Sequence, residues 1–169
     1  MSRVFFTSDQ HYSHTNIIKY CNRPFQNINE MNETIISNHN KMVSQDDIIW
    51  YLGDFYMGRD GRAQEYLNRL NGEKHLIVGN HDQVGVTLEG WESISDLKEI
   101  MVNGQKIVLC HYAMRIWNKS HKGSWHLYGH SHGSLPDDPN ALSIDVGVDC
   151  NNYKPFSMEQ IRNIMKKKT

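Results

Sequence analysis

Val4-Phe5-Phe6-Thr7-Ser8-Asp9-Gln10-His11 is the stretch on which the fold turns. Val4 to Thr7 has the β-branched and aromatic composition of a strand. The carboxylate of Asp9 and the imidazole of His11 follow at the point where the chain leaves it. In open α/β sheets, ligands bind at the carboxyl edge of the strands. The arrangement recurs twice: Ile48 to Leu52 reads as a buried strand before Gly53-Asp54, and His75 to Val78 as a third before Gly79-Asn80-His81-Asp82. One Asp or Asn after a strand is a common turn former or helix cap. Three in register deliver oxygen and imidazole ligands to a single edge.

Helical patterns separate these strands. Asn29 to Val43 places Met31, Ile35, Ile36, His39 and Met42 on one face, and Arg59 to Leu70 does the same with Ala63, Tyr66, Leu67 and Leu70. Asn71-Gly72 supplies a stop. The chain therefore begins β-α-β-α-β. Its second half changes character: Leu97 to Val102 and Lys106 to Cys110 flank Asn103-Gly104, the dipeptide of a primed hairpin turn. Strands near Trp125 to Tyr128 and Leu142 to Val148 follow, and Ser157-Met158-Glu159-Gln160 is a capping-box start for a last helix. The expectation is an α/β domain of two facing sheets with helices outside. Lys166-Lys167-Lys168 at its end suits the helix dipole, with a phosphate-binding tail as the other reading.

No repeat, low-complexity segment or Pro/Ser-rich linker divides the 169 residues, so residues 1–169 are expected to form one domain. The 38% apolar and 22% charged composition is that of a globular chain. A net charge of −1 is too small to recruit a polyanion by bulk electrostatics, so any nucleic-acid contact would be local. The apolar run at the start is too short for a signal-peptide core or a membrane span, so a cytoplasmic location and no membrane partner are expected. Cys21, Cys110 and Cys150 are odd in number and far apart, which reads as reduced thiols and speaks against a zinc-thiolate site.

Ten histidines are the compositional oddity. His111 ends the hairpin strand, and Gly129-His130-Ser131-His132 follows the Trp125 strand; in an extended segment His130 and His132 point the same way. The series D-x-H, G-D, G-N-H-D, a lone H and G-H-x-H, running from Asp9 to His132, resembles the calcineurin-like metallophosphoesterases. The resemblance implies a four-layer α/β/β/α sandwich of two mixed sheets flanked by helices, and a two-metal site. It assigns Asp9, His11, Asp54 and His132 to one metal, and Asp54, Asn80, His111 and His130 to the other, with Asp54 bridging.

Two cations about 3.5 to 4 Å apart repel unless an anion lies between them, and a carboxylate bridge is such an anion. Four imidazoles among seven ligands suit Mn, Fe, Zn, Ni or Co better than calcium or magnesium. The metals would lower the pKa of a bound water and supply hydroxide as the nucleophile on a phosphate ester. His81 resembles the family's histidine that protonates or hydrogen-bonds the leaving oxygen. Asp82 is its candidate orienting partner, or a helix cap.

The family's protein Ser/Thr phosphatase branch carries G-D-x-x-D-R-G and G-N-H-E, whereas this chain reads Gly53-Asp54-Phe55-Tyr56-Met57-Gly58-Arg59 and ends the third motif in Asp82. A phosphoprotein substrate is disfavoured. The expected substrate is a small phosphate ester, a diester ahead of a monoester, with a nucleotide or nucleic-acid end as the favoured class and no obligate protein partner. A non-catalytic binding protein of the same fold would show lost ligands, and none is lost. His14 either lines the site or starts a short helix, Thr15 to Tyr20. Tyr12, Tyr56 and Arg59 adjoin ligands and are candidates for the rim. Arg115, within a basic and aromatic stretch ending at Trp125, would hold a second phosphate while its neighbours stack a base, unless the tryptophans fill the core.

Overall fold

The computed structural model describes residues 2–168. Among these residues, nine strands form two mixed sheets flanked by helices. The first sheet holds β1 (Val4–Thr7), β2 (Ile48–Tyr51), β3 (Glu73–Ile77), β4 (Trp91–Ser95) and β9 (Phe156–Ser157), in the order β4-β3-β2-β1-β9. The first four run parallel, and β9 is antiparallel to β1. The second sheet is β5 (Leu97–Val102), β6 (Gln105–Cys110), β7 (Trp125–Tyr128) and β8 (Ser143–Asp145). Its β5–β6 hairpin is antiparallel and turns at Asn103, whose φ is 48°. β6, β7 and β8 are parallel.

Side chains alternate across the first sheet and define two cores. Phe5, Ile49, Tyr51 and Leu76 face outward and meet Ile17 of α1 (Ile17–Tyr20), Met31, Ile35 and Ile36 of α2 (Ile28–Met42), and Ala63, Tyr66 and Leu67 of α3 (Ala63–Arg69). Phe6, Trp50, Leu52 and Ile77 face inward and pack on Ile107, Leu109, Trp125 and Leu127 of the second sheet. α4 (Met158–Met165) adds Met158, Ile161 and Met165 to this inner core, and its Ser157–Gln160 capping box is present. No helix among the described residues is long and apolar enough to cross a membrane.

Two boundaries and one unexpected strand stand out among the differences from the sequence expectation. α3 begins at Ala63 instead of Arg59, because Asp60 accepts the Arg62 amide and the hydroxyls of Tyr56 and Ser13, tying the preceding residues into a loop. β8 is limited to Ser143–Asp145: beyond it the Asp145 carboxylate takes the amides of Gly133 and Gly147, and the chain turns out of the sheet. β4, a half-exposed edge strand, lacks the dense apolar run that marked the others.

Candidate metal centre

Parallel register brings the ends of β1, β2 and β3 to one height, with Thr7 opposite Tyr51 and Tyr51 opposite Leu76. The turns beyond are then zipped together: the Asp9 amide donates to Gly53 O at 2.9 Å and the His11 amide to Asp54 O at 3.0 Å. The second sheet docks its own turns here, with the Gly129 amide on His111 O at 2.9 Å and the Val148 amide on Ser8 O at 3.0 Å. The approach is close enough to require glycine at Gly53, where φ is 96° and a Cβ would strike the His111 ring and the Gly79 backbone. Asp9, His11, Asp54, His130 and His132 all have φ between 49° and 65°. Non-glycine residues in this region cost of order 1–3 kcal/mol each and persist where the surroundings over-determine them.

All seven sequence-predicted ligands come together at one place, with His11, Asp54, Asn80, His130 and His132 lining a cleft and Asp9 and His111 buried behind it. Oδ1 of Asp9 lies 4.0 Å from Nε2 of His11 and 3.8 Å from Nε2 of His132. Oδ2 of Asp54 lies 3.5 Å from Nε2 of His11 and 3.5 Å from Nε2 of His111. Oδ1 of Asn80 is 3.0 Å from Nε2 of His111. The ligand atoms of Asp9, His11 and His132 lie within 4.8 Å of one another, as do those of Asp54, His111 and His130. Oδ1 of Asp9 and Nε2 of His11 are buried without a hydrogen-bond partner. Orphaned acceptors of this kind are costly in a protein interior, and a cation placed between them would satisfy both.

Asp9, Asp54, His111 and His132 are each aimed by a second contact, as is usual for metal-binding imidazoles and carboxylates. Nδ1 of His111 is 2.6 Å from Leu52 O, so it carries the proton and leaves Nε2 free. Nδ1 of His132 is 2.8 Å from Oδ2 of Asp149. The amides of His130 and His81 donate to Oδ2 of Asp9 and Oδ1 of Asp54, each at 2.9 Å. Burial pushes the Asp9 carboxyl up to about 7 against the lowering effect of His132 and His111. Burial opposes ionisation of Asp54, but His111 and the His81 amide hold it down at about 2. Burial lowers His11 to about 3, while for His132 the Asp149 carboxylate outweighs burial and raises it to about 10.

The remaining candidates divide. His81 and His14 line the cleft, the His81 ring 5.8 Å from that of His11 and Nδ1 of His14 3.3 Å from Nδ1 of His11. Asp82 does not orient His81: its carboxylate accepts the amides of Asp54, Phe55 and Gly79 at 2.7–2.9 Å, stapling the second and third ligand turns together. Tyr12 is not at the rim; left-handed backbone at His11 and Ser13 and the bond of its amide to Phe55 O at 3.0 Å hold it buried in the outer core, stacked on Tyr66 at 5.1 Å. Tyr56 is buried likewise and donates to Asp60. Arg59 and Arg115 are exposed and neither lines the cleft; Arg115 sits in a loop anchored by Trp117, whose Nε1 donates to Ser124 O. Trp117 and Trp125 are both buried, the core alternative for that stretch.

Sequence reading missed Arg23 and Asp149 behind His132, Tyr20 in the cleft lining, and Tyr112 beside His130. Asp149 follows a strand as the ligands do, in Val148-Asp149-Cys150, which is a usable signal; Arg23 lies in an irregular segment with none. The cleft, of about 500 Å³, has no lysine or arginine in its lining among the described residues.

No family model matches the chain. An uncharacterized protein of Methanocaldococcus jannaschii is 38% identical over 174 aligned positions, covering 99% of this chain and 93% of its own length. Among solved structures, a protein of unknown function from Aquifex aeolicus has a TM-score of 0.76 at 26% identity, over 97% of this chain and 100% of that one. YfcE, a phosphoesterase from E. coli, has a TM-score of 0.53 at 17% identity, over 86% of this chain and 78% of its own, a likeness of fold.

Proposed function

We propose that this chain is a member of the calcineurin-like metallophosphoesterase family and a dinuclear metal-dependent hydrolase of phosphate esters, with a diester at a nucleotide or nucleic-acid end as its favoured substrate. The observation that carries this reading is the single oxygen, Oδ2 of Asp54, set 3.5 Å from His11 on one side and 3.5 Å from His111 on the other. Asp9, His11, Asp54 and His132 would hold one divalent cation, and Asp54, Asn80, His111 and His130 the second. When bound, such cations lower the pKa of water and offset charge developing on phosphoryl oxygens.

The chain's own residues supply the rest. His81, at the cleft wall, would hand a proton to the leaving oxygen. Asp82 keeps the Asp54 and Asn80 turns in one rigid unit through three amide hydrogen bonds. His14 stands against His11 on the open side. Tyr112, exposed beside His130 with ring centroids 4.9 Å apart, offers a face on which a base can stack. The lack of a lysine or arginine in the lining among the described residues favours a monoanionic diester over a dianionic monoester.

The test is a screen of purified, manganese-loaded protein against mono- and diesters, cyclic nucleotides and short oligonucleotides. Hydrolysis of a diester with two ions bound per chain is expected. Two bound ions with no turnover of any ester would sink the enzymatic reading and leave a binding protein of this fold.

A further inference from the structure

We infer that Arg23 and Asp149 are positioning residues that lock the Asp9-Gln10-His11 turn and the His132 imidazole to each other, and so set the affinity of one cation position independently of the other. This rests on the reading of Asp9, His11 and His132 as metal ligands.

Arg23 follows α1, and its side chain is fully buried. A buried guanidinium must satisfy five donors, and here every nitrogen is committed. Nε donates to Oδ1 of Asp149 at 2.9 Å and Nη2 to Oδ2 at 2.8 Å. Nη2 also reaches Asp9 O at 2.7 Å, and Nη1 reaches Gln10 O at 3.0 Å and the Met31 sulfur at 3.4 Å. Two of these acceptors are main-chain carbonyls of the turn that carries Asp9 and His11, both in left-handed conformation.

The same Asp149 oxygen that accepts Nη2 lies 2.8 Å from Nδ1 of His132. The contacts therefore run from the Asp9 turn through Arg23 and Asp149 to His132. They close on Asp9 again, since Nε2 of His132 is 3.8 Å from its Oδ1. A buried ion pair is rarely the most stable filling for its volume, because desolvation offsets its attraction. Its value here is directional: it fixes two ligands far apart in sequence to one geometry. His111 and Asp54 are aimed separately, by Leu52 O and the His81 amide, and the hydrogen bonds of Arg23 and Asp149 reach neither.

Isothermal titration of manganese into the metal-free full chain tests the inference, with His132→Ala identifying which binding step belongs to this position. In Asp149→Asn that step weakens about 10- to 100-fold, while the other stays within about twofold. Arg23→Lys, which keeps the charge but not the planar fork, behaves the same way. The double variant Arg23→Gln/Asp149→Asn leaves no uncompensated buried charge and covers the case in which a single variant does not fold. Equal weakening of both steps, or no change in either, overturns the inference while leaving the dinuclear reading standing. A wild-type chain that takes up fewer than two ions overturns both.

Discussion

The backbone amide of His81 donates to Oδ1 of Asp54 at 2.9 Å. That bond occupies one carboxylate oxygen and leaves the other, Oδ2, facing the imidazoles of both His11 and His111. A residue on the third ligand turn thus aims the bridge on the second.

Asp54→Ala should therefore cost more than Asp9→Ala or His132→Ala. Loss of the shared oxygen disrupts both positions, and metal stabilisation of several kcal/mol corresponds to roughly 10²- to 10³-fold in rate or more. Elemental analysis and turnover are measured together. Near-native turnover of Asp54→Ala with two ions bound would remove the bridge.

His81→Ala or His81→Gln should bind both ions and lose roughly 10²- to 10⁴-fold on alkyl or nucleoside esters. The loss should be much smaller on p-nitrophenyl esters, whose leaving group needs no proton. Equal losses across a leaving-group series, with metal content intact, would mean that His81 stabilises the phosphoryl oxygens instead.

Bis-p-nitrophenyl phosphate should be hydrolysed at least as well as p-nitrophenyl phosphate, because among the described residues no lysine or arginine lines the cleft to neutralise a dianion. A strong monoester preference in kcat/KM would reverse the order of substrates.

Metal should stabilise the fold, since the protein brings Asp9, Asp54 and four imidazoles together with two ligand atoms unsatisfied. At manganese about a hundredfold above Kd, linkage gives about 2.7 kcal/mol for one site. For a chain of this size that is a rise of about 5–10 °C in Tm over the chelator-treated protein. Superimposable melting curves would contradict metal binding at this cleft.

A separate pH effect comes from His39, on the buried face of α2 with Nε2 2.9 Å from Asn71 O and Nδ1 3.3 Å from the Tyr51 hydroxyl. Burial lowers it from 6.5 to about 4. The unfolded chain then binds the extra proton first, so the stabilisation is complete above pH 6.5 and is lost as pH falls toward 4. The gap corresponds to about 3 kcal/mol. Urea titrations of metal-free wild type and His39→Gln should show wild type's advantage shrinking from pH 7.5 to 4.5; a constant difference would refute it.

Much of this protein was legible in its sequence, for reasons that are local. Strand alternation at Phe5-Phe6 and Ile49-Trp50, the helical stripe of α2, the Asn103-Gly104 turn and the Ser157–Gln160 capping box each depend on residues a few positions apart. Ligand types placed just past strand ends needed only the direction of the strands to converge. Tertiary packing alone decided what lies behind and around them. Asp82 could be seen beside His81, but not that three amides, two of them from the Asp54 turn, would claim its carboxylate. Tyr12 adjoins a ligand in sequence, yet the left-handed backbone of His11 and Ser13 on either side and the bond of its amide to Phe55 O hold it in the core against Tyr66. Arg23 reaches Asp149 across 126 positions of chain. No periodicity encodes such a partner, because its position is fixed only when the two sheets close on each other and exclude water from the charges between them.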